Sequence, residues 1–288
     1  MYLTRFQFPD REQEDRFFAG IRRTCYDSFY PFRVLTARGL TELEMEEITI
    51  LYGGNGSGKS TALNAIAETL GLRRDTLFNR SSFFGEYTAL CRYETGRPIP
   101  ADSRIITSDD VFDFMLNVRH LNEGVDRRRE DLLDAYVDAK YNSGGFQMRS
   151  LEDYDRLKQV VSAQKHSQSQ YVRENLNRNV REHSNGESAF QYFTEKIQEN
   201  GLYLLDEPEN SLAPALQRQL VDFLSDSARF FGCQFLIATH SPFLLAMRGA
   251  KIYDLDADPV RVRPWTDLPG IRAYYDFFRE HAPEFDGP

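Results

Sequence analysis

Two stretches of the chain change their apolar pattern in the same way, from a short continuous run to a helical spacing. In the first, Glu47-Ile48-Thr49-Ile50-Leu51-Tyr52 enters a glycine-rich loop, Gly53 to Thr61. Leu63, Ile66, Ala67 and Leu70 then recur at i, i+3, i+4 and i+7, one face of a helix, and Gly71 falls where its C-cap belongs. In the second, Leu202-Tyr203-Leu204-Leu205 has the unbroken apolar character of a strand buried on both faces. Asp206-Glu207-Pro208-Glu209 ends it, Pro214 opens a helix, and Leu216, Leu220, Phe223 and Leu224 give that helix an apolar face. Gly232 breaks the helix and Phe235-Leu236-Ile237-Ala238 reads as the next buried strand, ending at Thr239-His240-Ser241-Pro242. A short helix and a strand from Lys251 to Leu255 follow. Strands alternating with helices predict an α/β fold, a mostly parallel sheet with helices on both faces.

The middle of the chain, 81–182, is polar, and its apolar spacing predicts short, irregular helices with a loop at Asn142-Ser143-Gly144-Gly145. The tail beyond Asp256 carries Pro259, Pro264, Pro269 and several aromatics, and is expected to wrap the core. The expected organisation is a single domain, 1–288. Its N-terminal part is 1–80, a mainly helical lid is inserted at 81–182, and the rest is 183–288.

Composition narrows the function classes. The 288 residues include 44 Asp plus Glu against 35 Lys plus Arg, a net charge of −9. That balance opposes a protein that coats nucleic acid over its whole surface. Charge is uneven, however. From Arg156 to Arg181 there are six basic residues (Arg156, Lys158, Lys165, Arg173, Arg178, Arg181) and one acid, Glu174, so this segment is +5 and the remainder −14. Such a run is equally what a solvated helix face carries. Cys25, Cys91 and Cys233 are too few and scattered for a disulfide framework or a Cys-x-x-Cys metal site, and they suit a reducing cytoplasm. No apolar run approaches the roughly 20 residues of a membrane span, so direct membrane insertion is not expected.

Gly53 to Ser60 fits G-x-x-x-x-G-K-[ST] at every position. Gly53, Asn55, Gly56, Ser57 and Gly58 let backbone N–H groups turn inward around a phosphate, and the helix that follows adds its dipole. Lys59 can reach the β- and γ-phosphates, Ser60 can ligate Mg²⁺, and Thr61 completes the loop. A carboxylate at a strand's C-terminal end lies in the crevice where nucleotides bind. Asp206 there can hold the metal, and Glu207 can polarise an attacking water. His240 closes the next strand at the same edge, placing it for a γ-phosphate contact. A second helix start, Ser184-Asn185-Gly186-Glu187-Ser188, has capping-box spacing between Ser184 and Glu187. It reads either as an ordinary capped helix or as a second phosphate site shared across a dimer.

Taken together, these motifs resemble those of the ABC-type ATPases, P-loop NTPases with a helical lid between the Walker A loop and the signature motif. GGNGSGKST resembles Walker A, and HSNGE at His183 to Glu187 resembles the LSGGQ signature with three replacements. LYLLDEPE at Leu202 to Glu209 resembles Walker B, Asn210 to Ala213 the D-loop, and Thr239-His240-Ser241 the H-switch. GLYLLDEPENSLAP with ATHSPFLLA is typical of the stand-alone "AAA family ATPase" branch, related to the ATPase parts of OLD-family nucleases, anti-phage defence systems and chromosome-maintenance ATPases. The resemblance covers about Leu40 to Leu255. It implies ATP and Mg²⁺ as cofactors, with catalytic roles for Glu207, His240 and Lys59. It also implies a head-to-tail homodimer through ATP, in which Ser184, Gly186 and Glu187 of one copy reach the nucleotide on Lys59 of the other.

The sequence departs from the family at the Q-loop. Ile105 to Asp110 lies where a strand should lead into it and has no glutamine. Tyr26 and Phe32 are the candidates for stacking on adenine. The expected function is an ATP-driven switch acting on an effector protein, a nuclease or toxin, or on nucleic acid, in anti-phage defence or repair. The alternative is the nucleotide-binding subunit of an ABC transporter. A chromosome-maintenance ATPase with a long coiled coil is disfavoured. The 123 positions between Thr61 and Ser184 allow a hairpin of at most about 90 Å, and they show no heptads.

Overall fold

The computed structural model describes residues 1–21, 25, 26, 28–142, 161–163, 165, 167–175 and 185–286. Nine strands are described: β1 Leu3–Gln7, β2 Glu42–Glu44, β3 Ile48–Tyr52, β4 Arg92–Thr95, β5 Arg104–Thr107, β6 Leu202–Asp206, β7 Gln234–Ala238, β8 Lys251–Asp254 and β9 Arg261–Val262. The helices are α1 Arg11–Gly20, α2 Lys59–Leu70, α3 Phe84–Leu90, α4 Ser108–Val137, α5 Gln168–Asn175, α6 Asn185–Lys196, α7 Pro214–Phe230, α8 Pro242–Leu245, α9 Pro269–Glu280 and α10 Ala282–Asp286.

The chain divides into two compact units, one of residues 1–112 and 185–288 and one of 113–184. In the first unit a six-stranded sheet runs β5-β6-β7-β3-β8-β9, parallel throughout except for β9. All five residues of β3 and of β7 are buried, as the continuous apolar runs predict. A smaller antiparallel sheet, β2-β1-β4, lies beside it. A core containing Phe6, Leu43, Leu63, Ile66, Phe84 and Leu236 fills the space between elements.

Gln234 joins the two sheets at the foot of β7. Its Oε1 accepts from the N–H groups of Tyr2 and Leu3 at 2.8 and 3.0 Å, and its Nε2 donates to the carbonyls of Leu3 and Glu46 at 2.7 and 3.1 Å. One buried amide thus satisfies four backbone groups that the sheet edges would leave unpaired. Tyr253 Oη adds a second link, exchanging hydrogen bonds with the backbone of Glu44 at 2.9 and 3.0 Å.

Three expectations are corrected. The stretch 81–182 is not helical from its start: α3, β4 and β5 belong to the first unit, and the second unit begins at Asp113. Nor are its helices all short, because α4 runs 30 residues, about 45 Å. Its buried positions Asp110, Val111, Met115, Asn122, Leu132 and Tyr136 keep a helical period, but two of them, Asp110 and Asn122, are polar, which hides the stripe in the sequence. The tail does not bury its aromatics: α9 buries Ile271 alone, while Tyr274, Tyr275, Phe277 and Phe278 stand half-exposed. In the second unit Leu132, Tyr136, Ala139, Ala163, Tyr171 and Val172 form a small separate core. Of the basic segment, Arg156, Lys158, Arg178 and Arg181 lie outside the described residues, as does the side chain of Arg173. No described helix is long and apolar enough to cross a membrane.

Candidate functional site

The parallel register brings the C-terminal ends of β3, β6 and β7 to one edge of the sheet. Tyr52 pairs in β8 with Asp254, Asp206 with Ala238 of β7, and Thr239 donates its N–H to the Leu51 carbonyl at 3.1 Å. Everything the three strands release at that edge therefore converges.

The loop after β3 owes its shape to glycine. Gly56 and Gly58 have φ of 78° and 97°, in the left-handed region where a side chain is strained. A Cβ on Gly58 would also lie 2.8 Å from Leu35 Cδ2, and one on Gly53 2.6 Å from Ser57 Oγ. The loop encloses a cavity of about 220 Å³ lined by residues 54–61 and Glu207. Gly58 then caps α2, and Gly71 ends it in the left-handed conformation expected for a helix C-cap. Asp256, just past β8, ties the loop down by accepting the Gly54 N–H at 2.8 Å.

Lys59 is buried, with 4% of its surface exposed, and folds back onto its own loop. Its Nζ donates to the carbonyls of Gly53 at 2.6 Å and Gly54 at 3.2 Å, and stands 3.9 Å from Glu207 Oε1. An ammonium removed from water must be met by acceptors, and here they line the cavity an anion would enter. Ser57 Oγ is buried with no hydrogen-bond partner, a further polar atom at the same loop.

Asp206 ends β6 beside Ser60, which hydrogen-bonds to it. Its Oδ1 is shut off from solvent and has no partner. Burial pushes its carboxyl up to about 6, with the negative charges of Glu207 and Glu209 adding to the rise and Ser60 and Lys59 opposing it. Glu207 follows with φ of 50°, an unusual conformation for a residue with a side chain. Its N–H donates to the Ala238 carbonyl at 2.9 Å, and its Oε2 accepts from Asn210 Nδ2 at 3.1 Å. These bonds hold the backbone in a conformation that costs about 1–3 kcal/mol. Its other oxygen, Oε1, stands 3.9 Å from both Lys59 Nζ and His240 Nδ1.

The expected residues Lys59, Ser60, Asp206, Glu207 and His240 are therefore gathered at one edge. Gly186 lies apart from them in its packing. It is buried at the start of α6, and a Cβ there would meet Leu216 Cδ1 at 2.7 Å and the Ser211 carbonyl at 3.3 Å. Its smallness lets α6 approach the turn that follows Glu207. Glu187 is exposed on the same helix, and Ser184 lies outside the described residues. Phe32 is not free to stack on adenine: it is buried and stacked on Phe17, with centroids 4.1 Å apart. Tyr26 is partly exposed and packs edge-on against Phe83. In the segment Ile105 to Asp110, which has no glutamine, Asp110 is buried. Its two oxygens accept from the backbone N–H and hydroxyl groups of both Thr76 and Thr107 at 2.6–2.9 Å.

Sequence reasoning passed over Glu209. It is buried, and its Oε1 accepts from Thr239 Oγ1 at 2.6 Å, His240 N at 2.9 Å and Ser241 N at 3.1 Å. Gln217, also unforeseen, accepts from Ser241 Oγ at 2.7 Å. The available signal was a second acid one residue past the Walker B proline.

Residues 109–246 match the family model described as "AAA domain, putative AbiEii toxin, Type IV TA system". No curated protein matches the chain. Among solved structures, it is similar to the Smc head domain of Pyrococcus furiosus bound to the C-terminal domain of ScpA. That match has 14% identity and a TM-score of 0.39, over 84% of this chain and 95% of that one. The SMC head domain of Thermotoga maritima is 14% identical with a TM-score of 0.37, over 92% and 99%. A dimeric ATP-binding cassette, MJ0796, bound to ADP and Pi, is 14% identical with a TM-score of 0.38, over 78% and 88%. Over residues 109–246 this chain is therefore similar to that AAA family, and the carboxylates at 206, 207 and 209 and His240 lie inside the matched segment.

Proposed function

We propose that the protein binds ATP with Mg²⁺ and hydrolyses it, closing and reopening a head-to-tail dimer that controls an effector. The observation that carries this reading is a cavity of about 220 Å³ lined by Lys59, Ser60 and Glu207, with Asp206 hydrogen-bonded to Ser60 and His240 Nδ1 3.9 Å from Glu207 Oε1. The triphosphate lies along the loop N–H groups and α2, and Lys59 exchanges its two loop carbonyls for phosphate oxygens. Glu207 polarises the attacking water, and His240 reaches the γ-phosphate.

The residues present fit a divalent cation. Asp206 Oδ1 is buried without a partner, its carboxyl is raised by burial, and Ser60 Oγ is beside it. Ser60 and Asp206 would hold the ion, Asp206 through water, and the ion would neutralise charge developing on the β- and γ-phosphates. In the closed dimer, Ser184, Gly186 and Glu187 of a second copy complete the site. The effector is a nuclease, a toxin or nucleic acid; anti-phage defence is the biological setting the family resemblance suggests.

The test uses Glu207→Gln. With ATP and Mg²⁺ it is expected to give a stable dimer by light scattering, while phosphate release falls about 10²- to 10⁴-fold. A variant that binds ATP but stays monomeric at high protein concentration refutes the dimer scheme. A parent protein whose phosphate release does not depend on Lys59 or Glu207 refutes the hydrolytic reading itself.

A further inference from the structure

We infer that Glu209 is a positioning residue that locks the His240 backbone against the loop carrying Glu207. The inference rests on the hydrolytic reading above and deepens it.

The loop after β6 and the loop after β7 are joined by the Glu207 N–H to the Ala238 carbonyl and by the Glu209 side chain. One carboxylate oxygen, Glu209 Oε1, gathers three donors from three consecutive residues of the second loop: Thr239 Oγ1, His240 N and Ser241 N. Thr239, Ser241 and Glu209 are all buried. A buried carboxylate must be met by donors, and bonds to a charged acceptor are about twice as strong as neutral ones. The His240 ring is therefore held from its own backbone. It stands 3.9 Å from Glu207 Oε1 through Nδ1 and 4.0 Å from Glu209 Oε1 through Nε2.

Glu207 is fixed from the same short stretch. Its backbone is held through the Ala238 carbonyl and its side chain by Asn210, the residue directly after Glu209. The Glu209 carbonyl also accepts the Leu212 N–H in the turn, at 3.0 Å. Glu207 thus has its own supports, Ala238 and Asn210, and the Glu209 carboxylate holds the His240 side alone. Glu209 Oε2 has no partner and makes no bond, so the clamp resides in Oε1 alone. This predicts which replacements work: glutamine keeps an acceptor oxygen where Oε1 sits, and alanine keeps none.

The experiment is a double-mutant cycle between Glu209→Ala and His240→Ala, read as phosphate release at saturating ATP and Mg²⁺, with ATP affinity measured separately. Glu209→Ala is expected to lower kcat about 10- to 100-fold with ATP affinity within about threefold of the parent. Glu209→Gln is expected to recover most of that loss. In the His240→Ala background, Glu209→Ala is expected to cost less than about twofold, because the group it positions is gone. An equal loss in both backgrounds overturns the inference, as does a Glu209→Gln variant no better than Glu209→Ala. If Glu209→Ala does not fold, the Gln variant alone decides: a kcat lowered as far as in His240→Ala, with folding intact, also overturns it. Failure of the parent reading is distinguishable, since Lys59→Ala and Glu207→Gln would then leave the basal rate unmoved.

Discussion

The phosphate loop after β3 and the paired loops after β6 and β7 meet at one edge, yet they are built by opposite means. The first is a backbone device. Glycines with positive φ give it its shape, and its one cation lies folded on its own carbonyls. The second is a side-chain device. Carboxylates at 206, 207 and 209 are buried or strained, and each is held by donors from another element or from the turn. Under the proposed function, the difference teaches that one side would bind through conformation and the other react through side-chain placement. The two sides should fail differently when damaged.

The sharpest separation is kinetic. Lys59→Ala is expected to lose about a thousandfold in kcat/KM together with nucleotide affinity, whereas Glu207→Gln keeps affinity and loses turnover. Isothermal titration beside phosphate release separates the two; equal losses of affinity in both would erase the distinction.

Next in size is the pH dependence of Asp206. Its carboxyl is raised from an ordinary value of 3.8 to about 6 by burial, so the folded state holds its proton more tightly than the unfolded state does. Stability is therefore highest with respect to this group at low pH and falls as pH rises from about 4 to 6, by roughly 3 kcal/mol. In chelator, Asp206→Asn should melt above the parent at pH 8, and the gap should close by pH 4. A gap that persists at pH 4 means that the asparagine repacks the site and that charge is not the cause.

Smaller effects are expected on the glycine side, where damage appears as stability. Gly58→Ala combines a φ of 97° with a 2.8 Å approach to Leu35, and is expected to cost about 2–3 kcal/mol in urea unfolding. Gly56→Ala meets nothing within 4 Å, so its cost is the φ term alone, about 1 kcal/mol. Equal costs at the two positions would show that packing against Leu35 contributes nothing.

Legibility in the sequence follows the same division. The phosphate loop, β3, α2, β6, α7, β7 and β8 could be read because local rules govern them: continuous apolar runs, a 3.6-residue stripe, glycine at a C-cap, proline at a helix start. The long helix α4 could not, because Asn122 occupies one of its buried positions and interrupts the apolar stripe. The aromatic tail misled for the opposite reason: composition promised burial, and α9 buries only Ile271. Phe32 had the right chemistry for stacking on a base, but it was already stacked on Phe17.

What the sequence determined by itself was the identity of the candidate groups, since a phosphate loop and an acid-tipped strand are fixed by spacing within a few residues. Only the tertiary structure decided what those groups lean on. Gln234 satisfies backbone groups of residues 2, 3 and 46, and Glu209 reaches 30 and 31 residues ahead to Thr239 and His240. Neither residue has a local partner that would betray its role, because a buried polar group takes whatever donor the fold brings to it.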